Sequence, residues 1–304
     1  MTTLIATSVV RGSRQGESHG GVFLVDLEQQ RVAQAIDWNT ANIDWQGRGW
    51  DRGLRGIAFD AEKIYIAASD ELFVYDRDFN QLASYRSLHL KHCHEIFRYK
   101  RRLYLTSTGF DSVLAFDLDA LRFSWGLKIG KVENDFRAVP FLPGAVDGPA
   151  PTNRLHINNV HCTPAGLFIS GMHTTGLLRY TGKSIGRVLP LPSGCHNAQP
   201  YADGVLFNDT AADEVRFVSA DKQRRFAVPR YDEALLTHTD SDDSRTARQA
   251  FGRGLCDLGA GLVAAGSSPS TITLHNFETM QTTLSINLSL DVRNAIHGLA
   301  VWPY

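Results

Sequence analysis

The sequence predicts an all-β fold, a six-bladed β-propeller. Three observations predict it. Short β-rich runs dominate, and no stretch holds a helical period over about 12 residues. The runs fall into groups of four, with Gly, Asp or Asn at the turns. The leftover runs at the two ends complement each other.

Read in order, the N-terminus supplies "TLIATSVV", "GVFLVDLE" and "RVAQAIDW", a group that lacks its first strand. "RGIAFD", "KIYIAAS", "ELFVYDRD" and "QLASYRS" make the next group, followed by "HEIFRY", "RLYLTST", "SVLAFDLD" and "RFSWGLKI". After a longer connection come "NNVHCT", "GLFISG", "GLLRYTG" and "IGRVLPL". "HNAQPY", "GVLFNDT", "EVRFVSAD" and "RRFAVPR" form a further meander, and "RGLCDL", "GLVAAGS", "TITLHNF" and "TTLSINL" the last. The C-terminus then offers a lone first strand, "IHGLAVW". Joined to the N-terminal group, it gives a closure blade shared between the termini, which hides both edge strands. Two sandwich domains would leave the fit between the two ends unexplained. The expectation is one propeller domain over residues 1–304, long enough to bury roughly three quarters of its unfolded surface without a metal or disulfide staple.

Composition narrows the function classes. Hydrophobic residues are 43% and charged residues 21%, and the net charge is −1. That balance gives no bulk attraction to nucleic acid or to an anionic membrane. No apolar run approaches the ~18 residues that span a bilayer. "MTTLIATSVVRGSRQGE" has no basic region ahead of an apolar core, so a cytoplasmic protein with reduced thiols is expected. The four cysteines include no CxxC pair, which argues against a zinc ribbon.

One slot recurs in every group. Counting back nine residues from the first apolar residue of the second strand leads to Arg55, His94, Asn158, His196 and Arg253, and His297 of "IHGLAVW" matches by alignment. Gly follows in three groups (Gly56, Gly254, Gly298), and Glu95, Asn159 and Asn197 follow in the others. The first strand of a propeller blade lines the axial channel, so these six residues are expected to converge at one channel mouth. "KHCHEI" is then one-sixth of a polar ring. Three connections entering the first strands are long: 39–54, 130–157 and 232–252. They carry Trp45, Arg48, Trp50, Arg52, Phe136, Arg137, Phe141, Arg154 and His156, which suits a lid or specificity wall.

These residue types define the chemistry expected of the ring. His94, His196 and His297, with His161 or His156, offer neutral imidazoles suited to a divalent Fe, Zn, Cu or Ni ion. Glu95 is placed to hold an imidazole tautomer. Arg55 and Arg253, with Arg52 and Arg154 above, suit a carboxylate or phosphate on a small anionic or polar molecule. Asn158, Asn197 and His156 are further ligand-binding candidates. His94, Glu95, His196, Arg55 and Arg253 would carry a metal-assisted lyase, hydrolase or oxygenase reaction. His161 lies three residues beyond Asn158, so it joins the ring only if its strand carries a bulge. A competing reading packs each histidine between blades against a neighbouring carbonyl. Metal-free ligand sensing and a protein-interaction scaffold are the alternatives to an enzyme. Cys93, Cys162, Cys195 and Cys256 read as small buried hydrophobes. No GxSxG elbow is present, and "TDSDDS" lacks the EF-hand pattern.

"HEIFRYKRRLYLTSTGFDSVLAFD", "LHINN", "HNAQPYADGVLFNDTAADEVRFV" and "GRGLCDLGAGLVAAG" resemble an uncharacterised bacterial six-bladed β-propeller family, a domain of unknown function. The resemblance covers roughly residues 50–270 and rests on His-Glu, His-x-Asn, His-x-x-x-Pro and Arg-Gly elements in that order. It implies the propeller fold and draws interest to His94, Glu95, His156, Asn158, His196, Arg253 and Gly254. It brings no activity with it.

Overall fold

The computed structural model describes residues 2–39, 53–133, 135–145, 147–240 and 248–304. Among them the chain is built of strands and turns. It begins with β1 (Thr3–Val10), β2 (Gly21–Asp26) and β3 (Arg31–Asp37). Next are β4 (Ile57–Asp60), β5 (Lys63–Ala68), β6 (Glu71–Tyr75) and β7 (Gln81–Arg86). The third group is β8 (Ile96–Tyr99), β9 (Arg102–Ser107), β10 (Ser112–Asp117), β11 (Arg122–Val132) and β12 (Asp135–Phe141). The fourth is β13 (Ile157–Thr163), β14 (Gly166–Gly171), β15 (Gly176–Tyr180) and β16 (Ile185–Pro190). The fifth is β17 (Cys195–Tyr201), β18 (Gly204–Asp209), β19 (Glu214–Val218) and β20 (Gln223–Ala227). The sixth is β21 (Arg253–Gly259), β22 (Leu262–Ser267), β23 (Thr271–Asn276) and β24 (Gln281–Asn287), and β25 (Asn294–Val301) ends the chain.

These strands make six sheets, and the fold is a six-bladed β-propeller. Five sheets have four strands. The sheet of β8 to β12 has five, in the order β12-β11-β10-β9-β8. The closure sheet runs β25-β1-β2-β3, with Leu4 opposite Val301 and Val10 opposite Asn294. The strand left over at the C-terminus thus supplies the strand missing at the N-terminus.

The turns explain much of the sequence pattern. Where the third strand of a blade gives way to the fourth, Asp26, Asp117 and Asn276 each accept two backbone N–H groups through one side-chain oxygen. Asp76 does the same toward Asp78 and Asn80. An Asx side chain there replaces a backbone acceptor and fixes the turn, so an Asp or Asn recurs at this point. Burial follows strand position. β5 and β6 are buried almost throughout, whereas the outer strands β3, β7 and β16 are largely exposed.

By backbone proximity the chain divides into two compact units, Met1–Arg55 with Asn208–Tyr304, and Gly56–Phe207. Within the second unit, Tyr65, Leu72, Leu103, Leu105, Leu114 and Phe116 fill the seam between two sheets. Val113, Leu127, Ile129, Phe136, Ile157, Val160 and Ile169 fill the next. In the first unit, Leu4, Ala6 and Val25 of the closure sheet pack with Ala264, Ile272 and Ile296. Each Val, Leu, Ile or Phe among them contributes about 1.5–3 kcal/mol on full burial, so these seams hold neighbouring sheets together.

The connection 130–157 departs from the loop expected there. Residues 130–132 continue β11, and 135–141 form the fifth strand, β12, paired through Lys128–Val139 and Gly130–Arg137. Prolines stand at 140 and 143, the first of them inside β12. An edge strand tolerates proline, because one side of its backbone has no ladder to complete. Phe136 turns into the core while Arg137 and Val139 face out. This part of the connection is sheet, and Phe136, Arg137 and Phe141 are strand residues. The lid residues Trp45, Arg48, Trp50 and Arg52 lie outside the described residues, as do 241–247 of the third connection.

Candidate functional site

The recurring slot falls at or just ahead of the start of five innermost strands and inside the sixth. Arg55 and His94 lie two residues ahead of β4 and β8, Arg253 opens β21, and Asn158, His196 and His297 sit within β13, β17 and β25. The residue after the slot is constrained for physical reasons. Asn197 and Gly254 have left-handed backbones, φ 54° and 73°, which Asn and Gly adopt most readily. Gly56 lies against the next sheet: a Cβ there would come 2.5 Å from the Ile96 nitrogen and 2.7 Å from the Glu95 Cα.

Three imidazoles gather in the second unit. The rings of His94 and His156 are 5.3 Å apart between centroids, and His196 is 6.4 Å from each. His94 and His196 are buried, and His156 is half-buried. The backbone fixes two of the rings. Nδ1 of His94 lies 2.8 Å from the His92 carbonyl, and Nδ1 of His196 lies 3.1 Å from the Gly194 carbonyl. A carbonyl only accepts, so Nδ1 carries the proton and Nε2 of the neutral ring presents a lone pair. Thr108 Oγ1, 2.8 Å from the His94 Nδ1, gives a second anchor.

Around the triad the slot neighbours tie the strands together. Glu95 accepts the Asn197 amide at 2.7 Å. Asn158 donates to the Cys195 carbonyl at 2.8 Å, and Asn159 donates to Ala198 at 2.8 Å. The Asn158 side-chain oxygen is buried and has no hydrogen-bond partner among the described residues.

His156 comes from the loop before β13, and Asp111 holds that loop. The buried Asp111 carboxylate accepts the backbone N–H of Arg154 at 2.6 Å, Leu155 at 3.0 Å and His156 at 2.9 Å, together with the Thr152 hydroxyl at 2.7 Å. Lys128, whose burial lowers its pKa, donates to the Phe110 carbonyl at 2.7 Å and to Thr152. Asp111 itself has a left-handed backbone, φ 44°. Arg154 takes part through its backbone, and its side chain is exposed.

His161 stands away from this cluster. The register of β13 does shift, between Ile157 and Asn159, yet the His161 ring packs on Phe97 with centroids 4.1 Å apart. Partial burial pushes its pKa down to about 4, so it is a neutral, half-buried histidine.

In the first unit the slot residues have their own partners. Arg55 is fully buried, and its carbonyl accepts the Thr7 hydroxyl. Arg253 donates to His297, Nη1 to Nε2 3.1 Å, and its guanidinium lies 4.8 Å from the Phe251 ring centre. Arg has no acceptor, so His297 accepts here and the Nε2 lone pair that a metal would use is engaged. Among the described residues, no three His, Cys, Asp or Glu side chains are grouped so as to hold a metal ion as they stand. The cysteines are free thiols. Burial pushes Cys162 and Cys256 up to about 12, so neither is a thiolate at neutral pH.

Comparison with known proteins gives the fold. A chain of a nidogen–laminin complex matches 99% of this chain over 98% of its own length, with a TM-score of 0.59 and 9% identity. A protein of unknown function from Bacteroides caccae matches 100% of this chain over 99% of its length, with a TM-score of 0.59 and 8% identity. The likeness is one of fold alone. No known family model matches the sequence, and no curated protein does. Both likenesses agree with the propeller fold expected from the sequence.

The slot count did not reveal Asp111, Thr108 or Lys128, which organise the His156 loop. The sequence signal of Thr108 and Asp111 is "TGFDS", where Gly and Asp interrupt a β-rich run as they do at an ordinary turn, and Lys128 sits in a plain strand pattern.

Proposed function

We propose that the second unit binds a small, polar, hydroxyl-rich molecule at the His94–His156–His196 triad. One observation carries this reading: a backbone carbonyl takes the Nδ1 proton of both anchored rings, which makes each Nε2 an acceptor. The Glu95 carboxylate, which receives the Asn197 amide, is an acceptor as well. An acceptor-rich site suits a ligand that donates hydrogen bonds, such as a sugar or another polyol. Arg55 and Arg253, the residues suited to an anion, belong to the first unit and take no part in this reading.

A second reading is a divalent transition metal on the same three imidazoles, supporting a lyase, hydrolase or oxygenase reaction. The Nδ1-to-carbonyl bonds favour it, because metal-binding histidines are commonly oriented this way. It requires the rings to draw closer than they stand. In either case we place the protein in the cytoplasm, a proposal supported by its four free thiols. No helix among the described residues is long and apolar enough to cross a membrane.

Thermal unfolding with a panel of monosaccharides and polyols, with and without a chelator, separates the two readings. The first predicts stabilisation that survives chelation and is lost in His196→Gln. Stabilisation by Zn²⁺, Ni²⁺ or Cu²⁺ alone would replace it with the second. No shift with either class would remove both.

A further inference from the structure

A recess lies in the second unit, at the far ends of two of the strands that lead from the triad. β8 ends at Tyr99, and β13 ends at Thr163, six residues or about 20 Å of extended chain beyond Ile157. Between these ends is a notch of about 230 Å³. Its walls are Tyr99, Tyr104, Trp125 and Tyr180, and Cys162 and Leu167 line it as well.

The lining is selective. Trp125 stands edge-on to Tyr104 at 84°, with centroids 6.4 Å apart, and is tilted 32° from Tyr180 at 6.3 Å. Such a set of rings favours a flat guest, which can meet some faces and some edges. Tyr180 keeps its hydroxyl on the Gly182 carbonyl at 3.1 Å, so its ring is held at the wall. Cys162 stays protonated and acts as an apolar surface.

The polar element is cationic. Arg102 lines the notch and is exposed, with Tyr104 beside it. Lys100 lies 5.5 Å from the Tyr99 ring centre. Asp117 is the nearby carboxylate: one of its oxygens accepts the Asp119 and Ala120 N–H groups, and its single negative charge faces both Arg102 and Arg122, so the balance of charge here stays positive. Aromatic walls can hold a cation, but here two side-chain cations already stand at them and would repel another.

We propose that this notch binds a small planar organic anion, an aromatic carboxylate, with its ring among Tyr104, Trp125 and Tyr180 and its carboxylate on Arg102. A guanidinium and a carboxylate can meet through two parallel hydrogen bonds, which fixes the orientation of the guest. The volume admits a single ring with a short acidic arm and little more. The site is independent of the triad, and its ligand is of the opposite hydrogen-bonding character.

The test titrates phenylacetate, phenylacetamide and phenethylamine into the wild-type protein and into Arg102→Gln, followed by tryptophan fluorescence and by ligand-detected NMR. Arg102 is exposed, so the variant is expected to fold. Phenylacetate is expected to bind the wild type saturably and to lose at least tenfold in affinity in Arg102→Gln, the loss of a charge-assisted hydrogen bond. Phenylacetamide should bind both proteins alike. No saturable phenylacetate binding below about 10 mM would overturn the proposal. So would equal phenylacetate affinity in the two proteins, or tighter binding of the amine than of the acid.

Discussion

His161 shows how one residue type takes opposite roles in one chain. His94 and His196 meet backbone carbonyls at the start of innermost strands, whereas His161 lies against Phe97 within a seam. Burial lowers the pKa of His161 from 6.5 to about 4, and it does the same at His275. Between those two values the unfolded chain binds the proton and the folded one does not. Stability therefore rises with pH across this window. The contribution is full above about pH 6.5 and is lost as pH falls toward 4, at a cost of about 3 kcal/mol per ring. His161→Phe is expected to remove roughly half of that acid sensitivity, because His275 retains its share. Urea denaturation of both proteins at pH 7 and pH 5 checks it, with the variant losing less stability between the two.

At the scale of elements, the strands were legible because their patterns are redundant. Asp26, Asp76, Asp117 and Asn276 mark the same turn four times, and each repetition supports the others. β12 was not legible, since it occurs in one blade and contains a proline. The His156 loop was seen as a long connection, but what holds it was not. Its organiser, Asp111, is separated from His156 by 45 residues, and nothing in the spacing joins them. Asp111→Asn replaces a carboxylate that serves three N–H groups with an amide whose nitrogen faces donors. It is expected to cost about 2–4 kcal/mol in chemical denaturation and to loosen residues 152–156. Increased hydrogen exchange confined to that loop and its neighbours is the accompanying signature.

For the whole molecule, the closing of the fold was readable from the two chain ends, because β25 has no sheet without β1 and β1 is an edge strand without β25. The slot was readable as a position, but its chemistry divides by residue. His94 and His196 give their Nδ1 protons to backbone carbonyls, while His297 receives a hydrogen bond from Arg253. A one-letter pattern gives the same symbol to both, since only the partner of each ring nitrogen tells them apart. The most direct measurement is long-range ¹H–¹⁵N correlation NMR of ¹⁵N-histidine-labelled protein, assigned by single His→Gln variants and repeated with saturating polyol. The Nδ1–H form is predicted for His94 and His196, with the signals of His94, His156 and His196 shifting together as ligand is added. Protonation at Nε2 in the neutral rings, or three unmoved signals while the ligand binds elsewhere, would contradict the account.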